Sequence, residues 1–356
     1  MTAERKSSYM PQLDSIRAFA VLFVLFEHWL PKDKIPFSVP FGLIGVTVFF
    51  VLSGYLITQI LFKSRNDARE EGMNFLHPLK QFYIRRTLRI FPIYYITIFI
   101  LWILNIQNIR EKILWFIFYA SNIYFYKIQN FDGPLSHLWT LAVEEQFYII
   151  WPLITLFTPR KYLFGAIAGI TVFGMLFTSV IYYFSDSVGF STNLLDILTP
   201  SCMDSFGLGA ILAYFRVYRS EQFDFNDIIL KIVFFLCLLM SVLFFFSDNI
   251  FIELLFNTNI SVLSVYLISR ASIGFKGITG KIFENRILTY LGKISYGLYL
   301  FHNFIPIILI GVGMPYIKND IIRFMFQSLV LVMIASVSWF LIEKPINGLK
   351  KKFSYT

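Results

Sequence analysis

The sequence predicts an all-α integral membrane protein, a bundle of about ten transmembrane helices with both termini in the cytoplasm. Three observations carry that prediction. Hydrophobic residues fill 57% of the 356 positions and charged residues only 15%, against about 25% charged in an ordinary soluble domain; mean hydropathy is +0.65. Apolar runs near the ~20 residues that a helix needs to cross a bilayer recur along the whole chain. Lysine and arginine gather in alternate connections between those runs, the pattern that orients helices in a membrane. No repeat, low-complexity tract or appended soluble domain interrupts it. Residues 1–356 therefore read as one transmembrane domain with short cytoplasmic tails at 1–12 and 344–356.

The first run, 13–30, lacks a small-residue cleavage site and is expected to stay as an uncleaved first span. Further runs follow at 41–62, 87–105, 112–126, 138–157, 162–184, 197–215, 229–247, 250–269, 287–312 and 321–342. The run at 112–126 is short, and Tyr119, Ser121, Asn122, Tyr124 and Tyr126 give it an interfacial character. Charge placement decides whether it crosses. If it does not, the cytoplasmic loops hold Lys63, Arg65, Arg69, Lys80, Arg85, Arg86, Arg89, Arg160, Lys161, Arg216, Arg219 and Arg270, and the basic tail lies inside with them. The outer loops then keep only Lys32, Lys34, Arg110, Lys112, Lys127 and Lys318. If it crossed, every later loop would change sides. Ten spans in the inner (cytoplasmic) membrane is the expected topology, with 106–137 an outer loop holding a re-entrant or surface-lying helix and 63–86 the longest inner loop.

A net charge of +9 would suggest nucleic acid in a soluble protein. In a membrane protein the location of the charges explains it, and no nucleic-acid partner is expected. Cys202 and Cys237 both fall inside apolar runs, so neither a disulfide framework nor a metal site is expected.

The informative residues are polar groups inside or at the ends of spans, where hydrocarbon makes them costly. Arg17 and His28 are eleven positions apart in the first run. At ~3.6 residues per turn they share one face, roughly 16 Å apart along the axis, and that stripe calls for a polar cavity. His28 has a side chain suited to proton transfer near neutral pH, although a lone intramembrane histidine also serves as a satisfied core group. Asp14 lies three residues before Arg17, close enough to pair with it. Arg86 and Arg89 share a face at the start of the third span; they are either topology anchors or a fork of donors for phosphate oxygens. His137 and Glu144 share a face in the next run, and at least one of Glu144 and Glu145 should face the cavity, to hold the His28 imidazole or to bind acceptor hydroxyls. Ser295, Tyr299 and His302 fall on one face of the run at 287–312, where packing explains most of the stretch.

Together these segments resemble acyltransferase family 3. The resemblance rests on R-x10-H at Arg17 and His28, R-x-x-R at Arg86 and Arg89, and Phe49-Phe50-Val51-Leu52-Ser53-Gly54-Tyr55. It rests also on the stretch from Leu138 through Glu144 and Glu145 to Tyr148, and on Ile294-Ser295-Tyr296-Gly297-Leu298-Tyr299. The motifs run in family order from residue 11 to about 345. The resemblance implies a ten-span enzyme that takes an acyl group, usually acetyl, from acyl-coenzyme A in the cytoplasm. That group goes to a hydroxyl of an extracytoplasmic, lipid-linked or surface glycan, with lipopolysaccharide O-antigen the expected acceptor. It implies His28 as the essential histidine and Arg17, Arg86 and Arg89 as the coenzyme A site, with acyl-CoA as co-substrate and no permanently bound cofactor. Glu144 and Glu145 join His28 as candidate catalytic groups; Asp14, His137, Ser295, Tyr299 and His302 support them. Some members append an extracytoplasmic SGNH-hydrolase-like domain, whereas this chain stops at Thr356. The membrane unit is then expected to do both halves of the transfer or to hand the group to a separate extracytoplasmic partner. The competing class is a transporter in which the same Arg, His and Glu residues relay protons.

Overall fold

The computed structural model describes residues 9–34, 39–131, 133–188, 191, 194–219, 228–244, 250–313 and 317–355. The described residues are helical with no strand. Helix α1 (Pro11–Trp29) begins on a proline, whose missing N–H falls where no intrahelical bond would form. Then come α2 (Phe41–Glu70) and α3 (Leu76–Leu104), which ends on Asn105 in the left-handed conformation. The chain continues through α4 (Ile109–Ile117), α5 (Ser121–Ile128), α6 (Leu138–Phe157), α7 (Arg160–Val188) and α8 (Met203–Tyr218). Beyond these lie α9 (Ile228–Phe244), α10 (Ile250–Ile273), α11 (Gly277–Phe283), α12 (Arg286–Lys293), α13 (Ser295–Phe301), α14 (Ile305–Gly311), α15 (Asp320–Ser338) and α16 (Lys344–Gly348).

Among the described residues, four helices are long and apolar enough to cross a membrane: α2, α3, α7 and the helical run Asp320–Lys352. A fifth span forms if α12 and the run Ser295–Gly311, bent by 60° to each other, count as one. Several of the other expected spans fall short in length or apolarity. Helix α1 carries Asp14, Arg17 and Glu27 within its 19 residues. Helices α8 and α9 have 16 and 17 residues, and α6 holds two adjacent glutamates.

Three boundaries differ from the sequence reading. The inner loop expected at 63–86 is mostly helix, because α2 runs on to Glu70 and α3 begins at Leu76. Apolar runs mark only the part of a helix that meets lipid, and a helix continues into water when its residues favour it. The run at 112–126 is two short helices, α4 and α5, of nine and eight residues. At 1.5 Å per residue neither reaches half of a ~30 Å hydrocarbon layer. Their apex is a left-handed turn at Tyr119 (φ 51°) that docks against the middle of α3 and α6. Tyr94 and Tyr95 donate to the Phe116 and Ile117 carbonyls at 2.8 and 2.9 Å, and Gln146 Nε2 donates to the Tyr119 carbonyl at 2.8 Å. A re-entrant pair fits that geometry. The run at 287–312 is broken into α12, α13, a 3-10 turn at His302–Phe304 and α14.

The interior is aromatic and tightly crossed. Phe206 of α8 stacks between Phe147 of α6 (4.1 Å) and Phe50 of α2 (4.7 Å), while Trp151 Nε1 donates to Thr58 Oγ1 at 2.8 Å. Helices α2 and α8 touch backbone to backbone: a Cβ on Gly54 would overlap the Phe206 carbonyl, and one on Gly209 the Val51 carbonyl. Small residues at such crossings are how helices approach closely where lipid supplies no hydrophobic drive. At the far end of α6, Arg65 donates from Nη1 to the Thr155 carbonyl and from Nη2 to the Thr158 carbonyl, both at 2.7 Å, capping carbonyls the helix leaves open. The outward surface is apolar, with Phe99, Phe173, Phe235 and Leu239 exposed, as lipid contact requires.

Gly54→Val and Gly209→Val should each destabilise the bundle, since overpacking a close crossing costs about 1–3 kcal/mol or more. Gly165→Ala, where nothing lies within 4 Å of the new Cβ, should not. Thermal unfolding of the detergent-purified protein measures both; equal stability across the three variants would contradict the backbone contact.

Candidate functional site

Helices α1, α2, α3, α6 and α13 enclose a cavity of about 420 Å³. Helix α1 contributes Asp14 and Arg17, α2 Phe49 and Ser53, and α3 Arg86 and Arg89; α6 adds Thr140, Glu144 and Tyr148, and α13 Ser295, Tyr296 and Tyr299. The start of α1 is clamped in place. Gln12 Nε2 donates to Glu284 Oε1 (2.9 Å) and to the Phe275 carbonyl (3.1 Å), and its Oε1 accepts from Phe275 N (2.6 Å). One turn on, Gly292 of α12 lets that helix ride against the Asp14 backbone, because any Cβ there would overlap the Asp14 carbonyl.

The charges in the cavity are unequally engaged. Arg17 Nη1 pairs with Asp14 Oδ1 at 2.6 Å, and Tyr9 OH donates to Asp14 Oδ2 at 2.7 Å. Glu144 Oε2 accepts from Tyr148 OH at 2.9 Å and its Oε1 accepts a longer bond from Ser53 Oγ at 3.4 Å. Arg86 lies over the Tyr148 ring, 4.5 Å from its centroid, a cation–π contact that leaves the guanidinium N–H groups open to a ligand. Arg89 is exposed to the cavity. Arg17 is paired with Asp14, whereas among the described residues neither Arg86 nor Arg89 has a carboxylate partner. A concave space with two guanidinium groups that lack carboxylate partners is built to receive an anion, and their planar forks match phosphate oxygens.

The stripe on α1 is divided. Arg17 lines the cavity and His28 does not. His28 is exposed at the far end of the helix, its ring 4.9 Å from that of His302, which lies 4.7 Å from that of His137. Thr140 and Tyr299 stand between this histidine cluster and the cavity. Both line the cavity; Thr140 Oγ1 donates to Tyr299 OH at 2.7 Å, and the Tyr299 ring packs on His137 and His302 at 5.9 and 5.3 Å. The histidines follow one another in a row, and among the described residues no group of three His, Cys, Asp or Glu could hold a metal ion.

Several expected site residues separate. Glu144 faces the cavity, but Glu145 points the other way, into a smaller cavity of about 240 Å³ beside Tyr119 and Tyr95; Arg86 and Tyr148 line both spaces. Neither glutamate holds the His28 imidazole: Glu144 is taken up by Tyr148 and Ser53, and the ring that meets His28 edge-on is His302. Ser295 and Tyr299 reach the cavity while His302, on the next 3-10 turn, turns away from it. His137, at the start of α6, is buried and does not line the cavity that Glu144 faces. The sequence reading misses Asn303 and holds Ser53, Thr140 and Tyr148 only within motifs, not as site groups. Tyr148 carried a signal, since it follows Glu144 by four residues and so sits above it on one helix face.

Three comparisons bear on this geometry. A family model described as an acyltransferase domain matches residues 10–343. A Staphylococcus aureus protein named "Putative O-acetyltransferase SAS0844" is 31% identical over 330 residues, covering 85% of this chain and 51% of its own. The peptidoglycan O-acetyltransferase OatA of Listeria monocytogenes is 30% identical over 381 residues, covering 97% of this chain and 57% of its own. The chain thus spans about half the length of these relatives. No solved structure matches it. The matched region takes in every residue of the arginine cavity except Tyr9, and all three clustered histidines; the chain belongs to acyltransferase family 3.

Proposed function

We propose that the chain is a membrane O-acyltransferase that moves an acetyl group from acyl-coenzyme A to a hydroxyl of a cell-envelope glycan. The observation that carries this reading is the cavity in which Arg86 and Arg89 stand without carboxylate partners beside the Asp14–Arg17 pair. The coenzyme's phosphates would bind there. In the proposed topology, ten spans in the inner membrane with both termini inside, Arg17, Arg86 and Arg89 lie toward the cytoplasm and His28 toward the outer side. The pantetheine arm would carry the thioester past Thr140 and Tyr299 to His28.

At that point His28 acts as general base. It takes the proton of the acceptor hydroxyl, the hydroxyl oxygen bonds to the thioester carbonyl carbon, and the C–S bond breaks. The coenzyme leaves as a thiol once it recovers the proton from His28. The acceptor is a peptidoglycan sugar in preference to the lipopolysaccharide O-antigen sugar that the sequence suggested, because a relative alignable over 97% of the chain is named for peptidoglycan.

Transfer of label from acetyl-CoA to cell-wall glycan in membranes from the producing strain tests this. His28→Ala should lower the rate on the order of 10²-fold or more; full activity in that variant would remove His28 from the chemistry. Arg86→Gln with Arg89→Gln should raise KM for acetyl-CoA by roughly a hundredfold or more, since each charge-assisted bond contributes about 1.5–3 kcal/mol. An unchanged KM would dissociate the arginine cavity from the donor. For the acceptor, mass spectrometry of a deletion strain should show acetyl esters lost from peptidoglycan; loss from another glycan alone would redirect the assignment.

A further inference from the structure

The chain has four histidines, and three of them meet in one cluster although they come from α1, the start of α6 and the turn after α13. Their hydrogen bonds differ in a way that assigns them different tasks. His137 is fully committed: its Nε2 lies 3.1 Å from the Leu300 carbonyl and its Nδ1 3.1 Å from Asn303 Nδ2. A carbonyl only accepts, so His137 Nε2 carries the hydrogen and Nδ1 accepts from the asparagine. His302 is half committed. Its Nδ1 lies 2.6 Å from the Tyr299 carbonyl and so carries the hydrogen. In the neutral ring that leaves Nε2 a bare acceptor. His302 is completely buried, and its Nε2 has no hydrogen-bond partner. Buried acceptors without donors are rare enough to need a reason.

The neighbours narrow the choice of donor. The Tyr299 hydroxyl is engaged with Thr140 and with the His137 carbonyl, and both His137 nitrogens are in use. The remaining ring against His302 is His28, inclined at 65° to it, exposed, and without a hydrogen bond among the described residues. We propose that His302 is a positioning residue for His28: its Nε2 accepts the hydrogen of one His28 nitrogen, which leaves the other His28 nitrogen bare and aimed at the reacting hydroxyl. The bond needs only a turn of the His28 ring, which its exposure permits. When the hydroxyl proton moves to the bare nitrogen, His28 becomes an imidazolium and the same bond to His302 is retained. His302 takes no proton. The proton passes from the acceptor oxygen to His28 and then to the departing coenzyme thiolate as the C–S bond breaks. This inference rests on His28 being the base.

The experiment compares His302→Asn with His302→Gln in the full chain. The asparagine amide can still donate to the Tyr299 carbonyl in place of Nδ1 but offers nothing at Nε2. The longer glutamine can place an oxygen near Nε2. With labelled acetyl-CoA, His302→Asn should lose roughly tenfold or more in kcat, as removal of a tautomer-fixing group does, with KM for acetyl-CoA unchanged. His302→Gln should recover most of that loss, and both variants should unfold at the wild-type temperature. Wild-type kcat in His302→Asn, or equal loss in the two variants, would overturn the proposal. His28→Ala separates the two levels. If it stays active, the base assignment itself fails; if it is inactive while His302→Asn is fully active, only the positioning role fails.

Discussion

Three guanidinium groups among apolar helices govern the packing around them. A charge buried in hydrocarbon without a partner or a polar space is costly, so the bundle must open where Arg17, Arg86 and Arg89 sit. It does so by drawing on four other elements. Asp14, one turn before Arg17, takes up that charge. The Tyr148 ring offers its face to Arg86, and its hydroxyl turns to Glu144, which keeps the carboxylate from neutralising the arginines. The Gln12 clamp and the contact at Gly292 then hold α1 at the one distance from α12 where Asp14 and Arg17 face inward. The cavity is the consequence of charges that cannot be left in lipid.

The short helix pair α4 and α5 belongs to the same solution. Its apex places Tyr119 against Tyr94 and Phe91 of α3, with ring centroids 4.3 and 5.7 Å apart, and its backbone accepts from Tyr94, Tyr95 and Gln146. Backbone that leaves a helix at membrane depth is tolerated where protein satisfies it, and these three side chains do that. The wedge also keeps α3 and α6 apart on the side away from the main cavity, where Glu145 lies. Two adjacent glutamates can thus face two separate spaces without repelling one another across one.

Much of this was legible in the sequence because hydrocarbon penalises charge so strongly. The helical membrane class, the Asp14–Arg17 pair and the expectation that at least one of Glu144 and Glu145 turns inward all follow from charges in apolar runs. Ser295 and Tyr299 follow from helix periodicity. What stayed hidden depends on crossings between distant helices. Consecutive glutamates point about 100° apart, so only one could meet the cavity, but which one is set by how α6 packs. The contact of His302 with His28 required the break into a 3-10 turn after α13, which no periodic pattern marks. Ser53 raised no flag because a serine costs little in a membrane helix. The polar extensions of α2 and α3 were read as loop because hydropathy reports lipid contact and not helicity.

The separation of the arginines from His28 is a chemical arrangement in its own right. A thioester held beside a base and open water would hydrolyse, and enzymes that carry activated groups keep water from them until the acceptor arrives. Here the cationic cavity ends at Thr140 and Tyr299, whose hydroxyls bond to one another. His28 stands beyond them, exposed on the other side. On the proposed reading, phosphates are retained by arginines on one side of that barrier, and only the slender acyl-bearing arm need pass it. Donor binding and transfer chemistry can then be optimised independently: the arginines hold the charged end of the donor without drawing its reactive end into the cationic pocket. The Tyr299 backbone ties the two halves together, because the carbonyl that fixes His302 belongs to the residue whose ring forms the barrier.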